Sequence, residues 1–191
     1  MNSRLSPQVL NDLPAVVLRP TYDRSKITPG ILHFGVGAFH RSHQALTLDR
    51  LFEKGMAHDW GIIGVGLLPN DIKMRDALIP QDCLYTLITK HADGKVDFQI
   101  IGSIIDYLYA PDNPEKVIKK LIDPAIRIVS LTITEGGYSF DRATGEFDPN
   151  TPGVKEDLVD SMGAPNSARI VGSNVTGLVV VFANEICNFP A

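Results

Sequence analysis

The chain has 191 residues, of which 44% are hydrophobic and 21% charged, which fits one ordinary globular domain of about 100–200 residues. Its 18 Lys+Arg and 22 Asp+Glu leave a net charge of −4, which excludes a strongly basic nucleic-acid-binding face and a polybasic membrane patch. The start of the chain lacks an apolar signal-peptide core, and no apolar run is long enough to span a bilayer. Cys83 and Cys187 form no CxxC pair and fit a reducing compartment, although a single disulfide between them is compatible with the sequence. We therefore expect a cytoplasmic protein with no nucleic-acid or membrane partner.

Strand and helix patterns alternate along the chain. Apolar runs predict strands at 31–34, 60–67, 84–90, 96–101 and 126–133. Helical spacing predicts helices at 6–13, 40–54, 69–80 and from 113 onward. Asp93-Gly94 predicts a hairpin turn between the third and fourth strands, because glycine tolerates a positive φ. Asn113 followed by Pro114 is typical of a capped helix start.

A glycine-rich turn connects the first strand to the helix predicted at 40–54. Its first glycine would allow a tight turn, and its second would let the backbone approach a pyrophosphate at the helix N-terminus. The pattern departs from the full GxGxxG fingerprint because His40 occupies the third glycine position, and a strand–helix turn without a ligand is the alternative interpretation. The residues proposed to bind a dinucleotide here are Gly35, Val36, Gly37, Ala38, Phe39, His40, Arg41, Ser42 and His43.

Asp71 follows the second strand, where an acidic residue would accept hydrogen bonds from the adenosine ribose hydroxyls. Its charge would repel a 2′-phosphate and favour NAD over NADP, although Lys73 and Arg75 nearby leave some NADP use open. Asp71 comes later than the usual offset of about 20 residues, and it also suits the N-cap of the next helix.

A second cofactor-contacting segment is predicted after the strand at 126–133. Thr134, Glu135 and Gly136, followed by Gly137 and Tyr138, would lie at a carboxyl strand end, where ligands of open α/β sheets bind. We expect this segment to contact the nicotinamide or the substrate, with a plain loop as the alternative. The fold class expected overall is α/β, with a Rossmann-like, mainly parallel sheet, flanking helices and an inserted β-hairpin.

Other site chemistries find little support. His40 and His43 are spaced for one helix face, but no carboxylate cluster accompanies them, so we expect no metal. The chain lacks a GxSxG nucleophile elbow and a GxxxxGK[ST] phosphate loop, which argues against hydrolase and P-loop functions.

The chain resembles the N-terminal half of the mannitol dehydrogenase family, the long-chain polyol-specific dehydrogenases. The resemblance runs over about residues 18–169 and is carried by the runs PTYDRSKITPGILHFGVGAFHRSHQAL, DWGIIGVGLLPND, MRDAL, QDCLYTLI, IGSIIDYLYAPDNPE, RIVSLTITEGGY and APNSAR. It implies that the glycine turn holds the NAD pyrophosphate, that Asp71 binds the adenosine ribose, and that the TITEGGY run lines the nicotinamide. It also implies a monomer that interconverts a polyol and a ketose, D-mannitol and D-fructose.

Within the family, Thr134–Tyr138 is similar to mannitol 2-dehydrogenases, whereas fructuronate-type reductases more often carry Lys in place of Gly136. Asn70 stands where relatives often have a second acid, which makes the preference for NAD less strict. A sugar-acid reductase is therefore an alternative function.

The family's catalytic lysine lies in a K-x-x-x-x-N-x-x-H motif of a C-terminal domain, and no lysine of this chain has asparagine five positions later. The Ser-Cys-Asp-Asn run expected after APNSAR is also missing, and residues 170–191 no longer follow the family pattern. We therefore expect a dinucleotide-binding domain at 1–169, a divergent tail at 170–191, and a substrate domain absent from this chain. The tail is interpreted as the result of a frameshift, retained intron or premature stop, or as a divergent last strand. No catalytic residue is assigned, and a non-catalytic NAD-binding fragment is a further alternative.

Overall fold

The computed structural model describes residues 4–132, 141, 143–150 and the backbone of 181–182. The strands of this part are β1 (Val17–Leu18), β2 (Pro29–Phe34), β3 (Gly61–Gly66), β4 (Tyr85–Lys90), β5 (Val96–Ile101), β6 (Ile104–Tyr109), β7 (Ile128–Leu131) and β8 (Val181–Phe182). The α-helices are α1 (Ala38–Ser42), α2 (Gln44–Glu53), α3 (Ile72–Leu78) and α4 (Pro114–Leu121). Short 3-10 turns lie at Pro7–Asp12, Arg24–Lys26, Pro69–Asp71 and Ile79–Gln81.

The main sheet has five strands in the order β6-β3-β2-β7-β8. β2 pairs in parallel with β3 on one side and β7 on the other, and β3 pairs in parallel with β6. The chain thus runs outward from β2 through β3 to β6, and then returns to β7 on the opposite side of β2. This reversal of direction beside β2 is a topological switch point, where the crevice at the carboxyl ends of the strands opens.

The two faces of the main sheet build two separate hydrophobic cores, because side chains alternate along each strand. On one face Ile31 and Ile62 pack with α2 and α3, whose buried side chains include Phe52 and Leu78. On the opposite face Leu32, Phe34 and Val65 pack with α4, which contributes Val117. The expected mainly parallel sheet with helices on both faces is confirmed.

A smaller sheet of β1, β5 and β4 lies beside the main sheet. β4 and β5 form the predicted antiparallel hairpin, and Gly94 in its turn has φ +85°. β1 adds to β5 in parallel. The inserted hairpin of the expected fold is therefore confirmed.

The buried carboxylate of Asp49, on α2, connects the two sheets. Its Oδ1 accepts hydrogen bonds from the Tyr22 hydroxyl (2.6 Å) and the Gly102 amide (2.8 Å), and its Oδ2 accepts one from Gln99 Nε2 (3.2 Å). Burial raises the pKa of this carboxyl. Asp49 thereby joins α2, the N-terminal segment and the end of the hairpin.

Several elements differ from the sequence prediction: β1 (Val17–Leu18) was not predicted, and the helix expected at 6–13 is a 3-10 helix at Pro7–Asp12. The helix expected at 40–54 is divided at His43, whose backbone leaves the helical region at φ −120° and ψ −78°, so α1 and α2 are separate. Strand β6 was missed, because only Gly102 and Ser103 separate it from β5 and the sequence offers no longer loop to mark the boundary. Within the described ranges, no helix has the length and apolar character needed to cross a membrane.

Candidate functional site

The glycine turn lies at the switch point, directly after the central strand β2. Gly35 has φ +82°, and its amide donates a hydrogen bond to the Val65 carbonyl of β3 (3.0 Å). A Cβ at Gly35 would lie 3.3 Å from the carbonyl oxygen of Thr132, at the end of β7. Both the positive φ and this close approach call for glycine. Gly35 therefore turns the chain between the ends of the two neighbouring strands.

Gly37 is the N-cap residue of α1, and the space around it is open. Its φ of −80° is open to any residue, and a Cβ there would meet only the Gly35 carbonyl oxygen, at 3.9 Å. Neither backbone strain nor neighbouring atoms in the described part of the chain require glycine here. Gly37 and Ala38 are exposed at the carboxyl edge of the sheet. An open approach to bare backbone at a helix start fits a pyrophosphate group.

Val36 and Arg41 hold the glycine turn against the sheet. Val36 is buried and packs on β3, where a Cβ at Gly64 would lie 2.6 Å from its Cγ2. Arg41 Nη1 donates to the Val36 carbonyl (2.8 Å), and the Tyr85 hydroxyl donates to the Arg41 carbonyl (2.6 Å). The Arg41 guanidinium, proposed from the sequence to bind a dinucleotide, thus makes a hydrogen bond to the turn itself.

His40 lies beneath the turn rather than on its surface. It is 2% exposed, and its ring stacks on that of His33 of β2 with centroids 3.5 Å apart and planes at 13°. This stack occupies the position where a third glycine would allow backbone to approach backbone. Burial lowers the pKa of His33 to about 4, and burial together with nearby His33 lowers that of His40 to about 3.

Phe39, Ser42 and His43 form the outer side of α1. Phe39 is 66% exposed and stacks on His43 with ring centroids 4.3 Å apart. Ser42 Oγ shares a hydrogen bond with His43 Nδ1 (3.0 Å). These three residues follow the glycine turn and are partly or fully exposed.

Asp71 lies at the same edge of the sheet, after β3. Its Oδ2 accepts hydrogen bonds from the amides of Leu67 and Leu68, each at 2.9 Å, and Gly66 leaves room for its Cβ. The carboxylate therefore closes the turn that precedes it and makes no side-chain cap for α3. Because β2 and β3 are parallel neighbours, this carboxylate and the glycine turn follow adjacent strand ends.

Arg75, one turn after Asp71, is paired with carboxylates. It bonds to Asp76, and it also pairs with Asp112, which precedes α4. Its guanidinium lies 5.2 Å from the ring centroid of Tyr109 on β6. Sequence reasoning singled out Arg75 but missed Asp112 and Tyr109, because they come from distant parts of the chain. Lys73 makes no ion pair within the described residues.

The predicted residues Thr134, Glu135, Gly136, Gly137 and Tyr138 lie outside the described residues. Thr132, just before them, lies at the carboxyl end of β7 and donates its amide to the Phe34 carbonyl (3.1 Å). Within the described part, no group of three or more His, Cys, Asp or Glu side chains is arranged to hold a metal ion.

A parallel sheet with helices on both faces and a glycine turn at its switch point defines the Rossmann-like class of domains. The family model described as the mannitol dehydrogenase Rossmann domain matches residues 29–180. The chain therefore belongs to the mannitol dehydrogenase family.

Among its relatives, a polyol:NADP oxidoreductase of Gluconobacter oxydans is 47% identical, over 81% of this chain and 32% of the relative. A mannitol 2-dehydrogenase of Aspergillus fumigatus is 48% identical, over 83% of this chain and 32% of the relative. The solved ternary complex of Pseudomonas fluorescens mannitol 2-dehydrogenase with NAD and D-mannitol has a TM-score of 0.74 and 45% identity, over 82% of this chain and 32% of that one. This chain thus spans about a third of the length of these relatives.

Proposed function

We propose that this chain is the NAD-binding part of a polyol dehydrogenase that interconverts D-mannitol and D-fructose. The single observation that carries the proposal is the juxtaposition of exposed Gly37 at the switch point with the Asp71 carboxylate after the adjacent strand. Relatives named as mannitol 2-dehydrogenases, and a solved complex with NAD and D-mannitol, support the choice of cofactor and substrate.

In this proposal the backbone from Gly35 to the start of α1 holds the pyrophosphate. The exposed backbone at Gly37 lets the phosphates come close, while Val36 and Arg41 keep the turn on the sheet. The outer side of the same site would be lined by Phe39, Ser42 and His43. The buried His40 would support the turn from below. Asp71 would accept hydrogen bonds from the adenosine ribose.

NAD, when bound, supplies a hydride acceptor for oxidation of the secondary alcohol. We propose that Thr134, Glu135 and Gly136 contact its nicotinamide end. No residue of this chain is assigned as the base that removes the hydroxyl proton, because none of its lysines fits the family's catalytic motif. We therefore assign cofactor binding to residues 1–169 of this chain, and substrate oxidation to the complete dehydrogenase, acting as a cytoplasmic monomer without a metal.

Substitution of Gly37 by Val tests the pyrophosphate site. The backbone angles and the free space at Gly37 accommodate the new side chain, so the fold should persist, while the branched side chain occupies the approach to the backbone. We expect the dissociation constant for NAD, measured by calorimetric titration, to rise at least about tenfold, or ~1.4 kcal/mol. Thr47→Val, which puts the same side chain on the exposed outer face of α2, is the control. Equal affinity of Gly37→Val and Thr47→Val for NAD would remove the glycine turn from the site.

Substitution of Asp71 by Asn tests the ribose site and the choice of cofactor. Asparagine retains an oxygen for the amides of Leu67 and Leu68 but removes the negative charge that would repel a 2′-phosphate. We expect the ratio of NADP to NAD affinity, titrated at one fixed ionic strength, to rise about tenfold. Asp93→Asn at the hairpin turn changes the net charge equally and should leave the ratio unchanged. A native chain that already binds NADP more tightly than NAD would contradict the proposed cofactor.

Two further functions remain open to the same assays. The missing lysine motif favours a non-catalytic NAD-binding protein, for which NAD should bind while absorbance at 340 nm stays constant with NAD and mannitol even in the complete protein that contains this chain. If the complete protein is a sugar-acid reductase, it should instead oxidise NADH in the presence of fructuronate.

A further inference from the structure

His33 lies on the central strand and connects it to the end of β7. Its Nδ1 shares a hydrogen bond with Ser130 Oγ (2.8 Å), and its Nε2 shares one with Thr132 Oγ1 (3.0 Å). The side chain is 3% exposed. Both ring nitrogens of a buried histidine are therefore used to hold side chains of the same neighbouring strand.

The flat face of the His33 ring contacts α1, the helix that follows the glycine turn. The His40 ring lies flat against it, at a centroid distance of 3.5 Å. Both ring nitrogens of His40 are buried, and neither has a hydrogen-bond partner among the described residues. A buried polar ring without partners packs at a higher free energy than a hydrocarbon ring of similar shape. The stack with His33 is therefore the closest contact that holds the His40 ring in place.

Backbone contacts also join the end of β7 to the glycine turn. The Thr132 amide donates to the Phe34 carbonyl (3.1 Å), and the Thr132 carbonyl oxygen lies 3.3 Å from where a Cβ of Gly35 would be. The Thr132 carbonyl therefore lies directly beside the turn at Gly35. The Thr132–His33 hydrogen bond and the His33–His40 stack link the end of β7 to both ends of the glycine turn.

We propose that His33 is a positioning residue of the dinucleotide site, which sets the glycine turn and the carboxyl end of β7 in fixed register through Thr132 and His40. This inference rests on the proposed NAD-binding function and adds residues to its site. His33 would not touch the cofactor, because it is buried below the turn. Its two hydrogen bonds and one stack instead fix three elements at the point where the crevice opens.

The matched substitutions Thr132→Val and Thr132→Ser test the proposal with little change of shape. Valine removes the hydroxyl that binds His33 Nε2, whereas serine retains it. We expect Thr132→Val to weaken NAD binding about tenfold in calorimetric titrations of the full chain, because loss of register displaces the turn. Thr132→Ser should bind within about twofold of the native chain. His33→Phe, which keeps a ring for the stack but loses both hydrogen bonds, should behave like Thr132→Val.

A control separates local positioning from general loss of stability. Val117→Ala opens a cavity in the core on the opposite face of the sheet, where Val117 is fully buried. It should lower the urea midpoint of unfolding without changing the affinity of the folded chain for NAD.

Hydrogen exchange without any cofactor gives a second readout that does not depend on NAD binding. We expect faster amide exchange in peptides covering 30–43 and 128–132 in Thr132→Val and His33→Phe, relative to both the native chain and Thr132→Ser. Native exchange of these peptides together with native NAD affinity in both variants would overturn the positioning role. If the native chain fails to bind NAD while the exchange pattern changes as expected, the proposed cofactor is wrong and the linkage through His33 stands.

Discussion

At the scale of single residues, the two stacked histidines give the fold a dependence on pH. Burial lowers the pKa of His33 to about 4 and that of His40 to about 3, whereas an unfolded histidine titrates near 6.5. Because the folded pKa values are the lower ones, the unfolded chain takes up protons first as the pH falls. Stability contributed by the neutral stack is complete above pH ~6.5 and is lost as the pH falls toward about 4.

Substitution of His40 by Phe should therefore reduce the loss of stability on acidification. Between pH 7.5 and pH 5, the free energy of unfolding of the native chain should fall by about 1–2 kcal/mol for each of the two buried histidines. In His40→Phe it should fall by the contribution of one histidine only. Urea unfolding at the two pH values measures this difference. Val117→Ala should show the native difference at a lower overall stability, since no titratable group changes. A His40→Phe chain with the full native dependence on pH would contradict the assignment.

The sequence allowed Gly35, Gly37 and Asp71 to be predicted as neighbours of one crevice, because strand ends and turn chemistry are local signals. Whether the proposed residues bind the cofactor stays a prediction. The sequence could not reveal that Arg41 binds the Val36 carbonyl, or that Arg75 pairs with Asp112. Those contacts depend on how separate segments pack, which neither periodicity nor spacing encodes.

At the scale of elements, the Asp49 carboxylate determines how the hairpin is joined to α2. It accepts hydrogen bonds from the Tyr22 hydroxyl, the Gly102 amide and Gln99, and it is only 1% exposed. Removal of a buried acceptor leaves its donors unpaired, which costs more than the net gain of each hydrogen bond.

Substitution of Asp49 by Ala should accordingly lower the free energy of unfolding by about 2–4 kcal/mol, measured by urea denaturation. Tyr22→Phe, which removes one of the three donors and keeps the ring contact with Phe52, should cost only about 1 kcal/mol. If Asp49→Ala destabilised the chain no more than Tyr22→Phe, the carboxylate would not be the joint between these elements.

Elements with a strong pattern and clear boundaries were predicted well from the sequence. The hairpin and the helix capped by Asn113 are observed, and the Asn113 side chain accepts a hydrogen bond from the Lys116 amide. β6 and the break at His43 were missed, because β6 follows β5 almost directly and the break interrupts an otherwise helical pattern. Short connections between elements carry little turn signal in the sequence.

At the scale of the whole molecule, the chain contains one Rossmann-like sheet and spans about a third of the length of its relatives. β8, at Val181–Phe182, pairs antiparallel with β7 and forms the outer strand beyond the parallel part. It lies within residues 170–191, whose origin stays a prediction. The family match reaches residue 180 and thus passes the boundary at 169 that was expected from the sequence.

The order of strands in the main sheet also has a consequence for how the chain is made. β2 is synthesised early, but its second neighbour β7 follows only after roughly 100 further residues, which takes about 5–20 s at a rate of ~5–20 residues per second. Until then one edge of the central strand has no partner, and unpaired strand edges are prone to join other chains. A nascent chain that has passed β6 but not β7 is therefore the stage at which a ribosome-associated chaperone would protect this protein most.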